Sequence, residues 1–273
     1  PYNQGMMDRD GILAVTDNGT FENYIQNYLA LFKETGVNRT IWHTEFGFAT
    51  HWHDLKNVKG LYAGFTEYTQ AVYLIRSFLL NMSFPEIKAA CQYSLLDDYG
   101  STPTHSEANF GLLRSDKSPK PSYFAVQRLA SLTNGYSATD AINVTITASP
   151  IHRAMERQIL VQDWDKQKIF SENGIRFVPF SATDPSKRPF IAIWSSQAFD
   201  GQFNNRAISL EISGAKPYAA GMLVAVDLIT GTSFDVPVAI VDDKLVIDQL
   251  VLTSNPVILY CPRKMTTPEV AVD

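Results

Sequence analysis

Cysteine is scarce in this sequence, and long apolar runs are absent. Its two cysteines, Cys91 and Cys261, lie far apart, each inside an apolar stretch, which favours buried free thiols over a disulfide bridge. No apolar run approaches the roughly 20 residues that span a bilayer, so we expect no membrane segment. The first residues, PYNQGMMDRDG, lack a signal-peptide layout, and the missing initial Met suggests a chain that begins inside a longer protein.

Charge is sparse as well. Charged residues make up 19% of the 273 residues, and the formal net charge is -5. No run of Lys or Arg forms the basic stripe by which proteins attract nucleic acid, so we expect no nucleic-acid partner. Hydrophobic residues, at 45%, suffice for a substantial core, and the length fits one large domain or two ordinary ones. Neutral or weakly charged ligands suit this composition.

Helix-like and strand-like segments alternate over residues 1–135. In TFENYIQNYLALFKETG, apolar residues recur every three or four positions, with Thr20 as a plausible N-cap and Gly36 at the end. This helix is followed by a β-prone run at 40–46, a second helix in TEYTQAVYLIRSFLLNMSF, an apolar run at 89–96 and a third helix opening at SPKPSYF. Such alternation predicts an α/β fold with parallel strands joined by helical crossovers.

The pattern changes at Asn134 and Gly135, where a turn signal marks a domain boundary. Over residues 136–273, short apolar runs are separated by Gly, Pro, Asn and Asp, without a convincing helix between them. The runs are RQILVQDW, RPFIAIWSS, RAISLEISG, GMLVAVDLI, FDVPVAIV, KLVIDQL and PVILYC. This pattern predicts an all-β second domain, an antiparallel β-sandwich.

Glu45 stands near the end of the first β-prone run, IWHTEF. Strand alternation places it on one face with Ile41 and His43. The opposite face then carries Trp42, Thr44 and Phe46. At the carboxyl end of a parallel strand, a side chain faces the mouth of the sheet or barrel, and Gly47 lets the chain turn or a ligand approach. The alternative is that Glu45 is a solvated residue or a salt-bridge partner.

Several motifs together resemble the last part of the catalytic barrel of clan A glycoside hydrolases, particularly family 39-like and family 5-like members. The motifs are WHTEFG, TQAVYLIRSFLL, QYSLLDDYG, SEANFGLLRSDKSPKPSYFAVQRL and the initial PY. The resemblance covers residues 1 to about 135 and extends more weakly to the sandwich. It implies a partial (β/α)8 (TIM) barrel over 1–135, with Glu45 as the nucleophile at the end of barrel strand 7.

The resemblance also implies residues that bind substrate. Tyr2 matches a tyrosine that hydrogen-bonds the nucleophile, and Tyr93 is the nearest match to the aromatic residue that lines the sugar site after strand 8. Trp52 could pack against a sugar ring at the rim, as could Tyr62 and Tyr99, although ordinary packing is an equal alternative. Asp97, in the Asp97-Asp98 pair, is either a substrate hydrogen-bonder or a solvated residue.

The histidines have simpler interpretations, and we expect no cofactor. His51 and His53 have a spacing that metals can use, but no other ligand obviously converges on them, so we expect loop histidines and no metal site. His43 is expected in the barrel interior, hydrogen-bonded to a neighbour.

Retaining glycosidases use two carboxyl groups, a nucleophile and a general acid. In clan A the acid belongs to an Asn-Glu pair after strand 4, and no Asn-Glu dipeptide occurs in this sequence. Asp97, Asp98 and Glu107 could donate a proton, although the resemblance gives them other roles. With only two clear barrel strands, the chain is a fragment, one of two complementary barrel halves, or a self-associating protein.

We therefore expect a retaining β-glycosidase acting on plant-type polysaccharides or their oligosaccharides, in which this chain supplies the nucleophile half of the site. The alternative is a noncatalytic carbohydrate-binding or assembly protein built on a half-barrel. The sugar and the linkage stay open, because loops absent from this sequence select them. Localisation also stays open, with secretion or periplasmic export as options for a parent enzyme.

Overall fold

The computed structural model describes residues 20–37, 39–51, 64–98, 100, 102, 104, 105, 107–149, 174–184, 186–196, 205–214 and 222–261. Within these ranges the protein is mixed helix and sheet, with mostly antiparallel strands and few helices. Every helix in these ranges is too short or too polar to cross a membrane.

Helices and parallel strands alternate in the described residues up to Thr133. Their bounds are α1 (Thr20–Glu34), β1 (Ile41–Phe46), α2 (Glu67–Met82), β2 (Ile87–Gln92) and α3 (Pro121–Thr133), with a 3₁₀ turn at Glu107–Asn109. β1 and β2 pair in parallel across α2, which confirms the predicted order and crossover. Gly36 follows α1 with a φ of +65°, and Thr66 caps α2 by accepting a hydrogen bond from N of Thr69 at 3.1 Å.

The remaining described strands form two antiparallel sheets. They are β3 (Tyr136–Ala138), β4 (Asn143–Ala148), β5 (Ile175–Ala182), β6 (Phe190–Ser195), β7 (Arg206–Ser213), β8 (Met222–Asp227), β9 (Ser233–Pro237), β10 (Ala239–Val241), β11 (Lys244–Leu252) and β12 (Val257–Tyr260). The six-stranded sheet has the order β3-β5-β6-β12-β8-β9, and the four-stranded sheet has the order β10-β11-β7-β4.

The predicted runs from RPFIAIWSS onward are confirmed as strands, and FDVPVAIV becomes two strands, β9 and β10. The strands β3, β4 and β5 are not among the predicted runs. The predicted run RQILVQDW lies outside the described residues.

β6 is buried on both faces, and this fixes the layering of the protein. Phe190, Ala192 and Trp194 belong to an apolar cluster shared with the helices, which we call the helix-side cluster. Ile191 and Ile193 belong to a second cluster shared with the four-stranded sheet, the inter-sheet cluster. Because successive side chains of a strand alternate between faces, the six-stranded sheet is the middle layer. The helices cover one face of it, and the four-stranded sheet covers the other.

Helices α2 and α3 are tied to the six-stranded sheet by polar contacts as well as by packing. Arg76 of α2 is fully buried and donates from Nη2 to the carbonyl oxygen of Ser254 at 2.7 Å. Arg128 of α3 donates from Nη1 to the carbonyl oxygen of Leu228 at 2.6 Å. A buried cation destabilises a protein unless it is paired or hydrogen-bonded. The protein therefore favours the arrangement of helices on the sheet in which these hydrogen bonds are made.

The two cysteines differ in exposure, so the expectation of two buried thiols is wrong for Cys91. Cys91 is exposed and Cys261 is buried. In β2, Ile87 and Ala90 pack against the helix-side cluster, whereas Cys91 does not. Cys91 is exposed because no described element covers that side of β2. The opposite side of the β1–β2 pair from the helices is therefore open in the described chain.

Candidate functional site

The carboxyl ends of β1 and β2 meet at one edge of the parallel pair. Phe46 pairs with Gln92, and the backbone N–H of Tyr93 donates to the carbonyl oxygen of Phe46 at 2.7 Å. Glu45 is the next-to-last residue of β1, so its backbone lies beside the first residue after β2. Parallel α/β folds place ligands and catalytic side chains at this edge.

Strict alternation does not hold along β1. His43 and Phe46, three residues apart, stack with ring centroids 4.9 Å apart, and Phe46 also contacts Phe78 of α2. Both side chains therefore lie on the helix side. In a regular strand, residues separated by an odd number of positions point to opposite faces, so β1 is irregular between His43 and Phe46. The pairing with β2 does shift register there. The predicted placement of Phe46 opposite His43 is wrong for this reason, and Glu45 lies within the irregular stretch.

The other residues of β1 show which side is open. Trp42 is 69% exposed, and Thr44 is exposed as well. Glu45 is half-buried, and its carboxylate has no hydrogen bond or ion pair with the residues that the structure describes. A partly buried carboxylate without a partner among the described residues is available to a ligand or to a further chain segment.

His43 packs against the helices, so its predicted place in a barrel interior is wrong. Nδ2 of Asn81 donates to the carbonyl oxygen of Ser77 at 2.7 Å, which leaves Oδ1 of Asn81 to accept from Nδ1 of His43 at 2.9 Å. The imidazole also stacks on Phe21 of α1, with centroids 5.6 Å apart. Burial lowers the pKa of His43, although the hydrogen bond with Asn81 opposes this effect. His43 is thus a core residue that orients β1 on α2.

Tyr93 presents an exposed ring at the site. It is 40% exposed and meets Phe110 edge to face, with ring centroids 5.4 Å apart. The peptide bond between Tyr93 and Ser94 is cis. Because Tyr93 directly follows β2, its aromatic ring lies at the same edge as Glu45, where the ring can offer an apolar face to a ligand.

Gln70 of α2 joins the segments that surround this edge. Its Nε2 donates to the carbonyl oxygen of Phe48 at 2.8 Å and lies 3.3 Å from that of Gly111. Its Oε1 accepts from the hydroxyl of Ser122 at 2.7 Å. One buried amide therefore connects the segments after β1 and β2 to the first turn of α3, and it satisfies backbone groups that would otherwise be buried without a partner.

Asp97 has a structural role in place of the predicted contact with substrate. It is buried, and its carboxylate forms an ion pair with Nζ of Lys120 at 2.8 Å. Its Oδ1 also accepts from the backbone N–H of Gly111 at 2.7 Å. These contacts occupy the carboxylate inside the protein, so Asp97 is neither the predicted substrate hydrogen-bonder nor a solvated residue.

Lys120 completes the support of the site. Besides the ion pair, its Nζ donates to the hydroxyl of Thr50 at 2.8 Å and lies 3.4 Å from the carbonyl oxygen of Asn109. Burial lowers the pKa of Lys120, and the carboxylate of Asp97 opposes this effect. Lys120 precedes Pro121 at the start of α3, where the sequence gives no sign of burial. Neither Lys120 nor Gln70 was indicated by sequence reasoning.

The remaining predicted residues divide into two groups. Tyr2, Trp52, Tyr62, Tyr99 and His53 lie outside the described residues. Asp98 and Glu107 are exposed, and His51 is buried. In the described ranges no group of three or more His, Cys, Asp and Glu side chains is arranged to hold a metal ion.

Gly47 should tolerate a side chain poorly, because the segments that follow β1 and β2 approach each other closely there. A Cβ at this position would overlap the carbonyl oxygen of Tyr93 and lie 2.9 Å from Cδ1 of Phe110. Gly47→Ala is expected to lower the melting temperature more than Gly36→Ala. In Gly36→Ala the new Cβ meets no atom within 4 Å. This substitution lowers the free energy of unfolding only because alanine disfavours the left-handed backbone conformation, by about 1–2 kcal/mol. Equal losses in thermal unfolding of the two variants would contradict this geometry.

Chemically, the edge offers a half-buried carboxylate, an exposed phenol ring and a rigid set of loops. A carboxylate can act as a nucleophile or as a general base. Aromatic rings bind the apolar faces of ligands.

Comparison with known proteins shows a similarity of fold. The sequence matches no protein-family model and no curated protein. The structure is similar to a family 39 glycoside hydrolase from the gut symbiont Bacteroides cellulosilyticus WH2, with 22% identity and a TM-score of 0.52 over 86% of this chain. This chain spans 37% of the length of that protein. A β-glucuronidase from Ruminococcus gnavus matches 39% of this chain and 18% of its own length, with 19% identity and a TM-score of 0.29. The chain thus shares its fold with part of a family 39 glycoside hydrolase.

Proposed function

We propose that this chain is part of a retaining glycoside hydrolase and that Glu45 is its nucleophile. In this proposal β1 and β2 are the last two strands of a (β/α)8 barrel, α3 is its last helix, and the two antiparallel sheets are an accessory β-sandwich. The substrates are oligosaccharides or polysaccharides of plant type. The observation that carries the proposal is the position of Glu45, half-buried at the carboxyl end of a parallel strand and without a described protein partner.

The neighbouring residues suit this role. A nucleophile has to stay ionised and aimed at the anomeric carbon, so the loops around it must be fixed. Gln70 and Lys120 fix the loops after β1 and β2 through buried hydrogen bonds. We propose that Tyr93 packs against the sugar and that Tyr2 and Trp52 line the same site.

The proton donor must come from elsewhere. In a retaining enzyme the two carboxyl groups are about 5–5.5 Å apart, one forming a covalent bond to the sugar and the other protonating the leaving oxygen. We propose that further barrel strands supply this acid and cover the open side of β1 and β2. These strands belong to a longer chain or to a separate complementary half; a second copy of this chain would cover the open side but would not supply the acid.

An assay of the completed barrel tests this function. This chain together with the preceding barrel strands, joined or supplied in trans, is expected to hydrolyse an aryl β-glycoside with retention of the anomeric configuration. Each part alone should show no turnover, because each contains only one of the two carboxyl groups. NMR of the first sugar product measures the configuration. Inversion, or an assembled complex without turnover, would refute the proposal.

A further inference from the structure

A cleft with a volume of about 250 Å³ opens at the end of α3, and Glu45 is not among the residues that line it. Its walls come from β3, from the turn between β5 and β6, and from the end of β12. The residues that give it chemical character are Tyr136, Lys187, Arg188, Phe190, Tyr260 and Cys261. The volume is slightly below that of typical small-molecule pockets, about 300–1,000 Å³, and so suits one small ring.

The aromatic wall of the cleft is held in place by its neighbours. Tyr136 meets Phe190 edge to face, with ring centroids 4.7 Å apart, and its hydroxyl donates to the carbonyl oxygen of Arg188 at 3.0 Å. Phe190 in turn stacks on Phe180, with centroids 4.9 Å apart. Since these rings are fixed before a ligand arrives, binding would cost little conformational entropy.

Lys187 gives the cleft a positive charge. Its Nζ donates to the carbonyl oxygen of Asn134 at 2.9 Å and lies 5.3 Å from the centre of the Tyr136 ring. No carboxylate in the described ranges forms an ion pair with it. Arg188 adds a second cation and donates from Nη1 to Sγ of Cys261 at 3.0 Å. An anionic ligand group beside Lys187 would gain a charge-assisted hydrogen bond.

We propose that this cleft binds one sugar ring that carries a carboxylate, a uronic acid residue. The ring would pack its apolar C–H face against Tyr260, and its carboxylate would accept a hydrogen bond from Lys187. The site is separate from Glu45 and independent of the function proposed there. It gives the six-stranded sheet a binding role of its own.

The test is ligand titration followed by NMR, with glucuronate and galacturonate as probes and glucose and acetate as controls. We expect at least one uronate to bind with a Kd of about 1 mM and both controls to bind at least about tenfold more weakly. Lys187→Met should weaken uronate binding about tenfold, whereas Lys33→Met, which removes an exposed charge on α1, should leave it unchanged. Tyr260→Ala should weaken it too, with circular dichroism as the check of folding.

Three results would overturn the proposal. The first is no binding of either uronate up to roughly ten times that Kd. The second is equal binding of glucose or of acetate, which would remove the need for either the carboxylate or the ring. The third is an equal effect of Lys187→Met and Lys33→Met. If Tyr260→Ala fails to fold, the lysine pair still decides the outcome.

Discussion

Replacing Lys120 by methionine is expected to lower the free energy of unfolding by about 3–5 kcal/mol. The side chain is 1% exposed, and that of its partner Asp97 is 7% exposed. Methionine has a similar length but no charge, so the carboxylate of Asp97 would stay buried without its ion pair. Thr50 and Asn109 would lose a donor as well. Urea unfolding followed by circular dichroism measures the loss.

The matched control is Lys244→Met, the same substitution in an exposed ion pair. Lys244 contacts Glu211 at 2.9 Å, but both side chains are about half exposed. We expect a much smaller loss there, because solvent screens the pair. Adding Asp97→Asn to Lys120→Met should recover part of the loss, since it removes the unpaired buried charge. Equal losses for Lys120→Met and Lys244→Met would contradict the structural role assigned to Lys120.

Replacing Glu45 by glutamine is expected to reduce turnover by the completed barrel on the order of 10⁴-fold, with little change in stability. Glutamine keeps the size of the side chain but cannot attack the anomeric carbon. Glu45→Ala should be similarly inactive, but added azide should restore turnover, because a small anionic nucleophile can enter the space that alanine leaves. Azide should not rescue Glu45→Gln, which leaves no such space.

Glu34→Gln is the control for this series, since Glu34 is exposed at the end of α1. It should keep the full rate. A completed barrel that kept the full rate with Glu45→Ala would remove Glu45 from the mechanism. Loss of the rate in Glu34→Gln would show that the assay reports assembly of the barrel and not chemistry.

The sequence contained enough information for the order of elements. Apolar spacing at three and four residues predicts the helices, and the short β-prone run ending at Phe46 predicts β1. Both features are local, so a single chain displays them. The same local signals place Glu45 at a strand end, which the structure confirms.

Other features depend on tertiary contacts that local patterns do not contain. The strand β3 is only three residues long and β5 contains Pro179, which weakens their local signals. The strand β4, NVTITA, does alternate apolar and polar residues, so its local signal was present and was missed. The pair of Asp97 and Lys120 joins residues from two separate loops. The exposure of Cys91 follows from the open side of β2, and no apolar run reveals which layer is uncovered.

The irregularity in β1 shows the same limit within the candidate site. Alternation is a property of a regular strand, and the shift in register between His43 and Phe46 breaks it. That shift comes from pairing with β2, about 45 residues away in the chain. The residue type and the strand end could therefore be predicted for Glu45, but its local geometry could not.

The identity of the nucleophile can be tested by trapping the covalent intermediate. The completed barrel would be mixed with an activated aryl β-glycoside, stopped with acid and digested, and its peptides would be weighed by mass spectrometry. We predict one added sugar residue on the peptide that contains Glu45, bound through its carboxylate as an ester. A sugar ester on any other carboxylate, with Glu45 unmodified during turnover, would contradict the assignment.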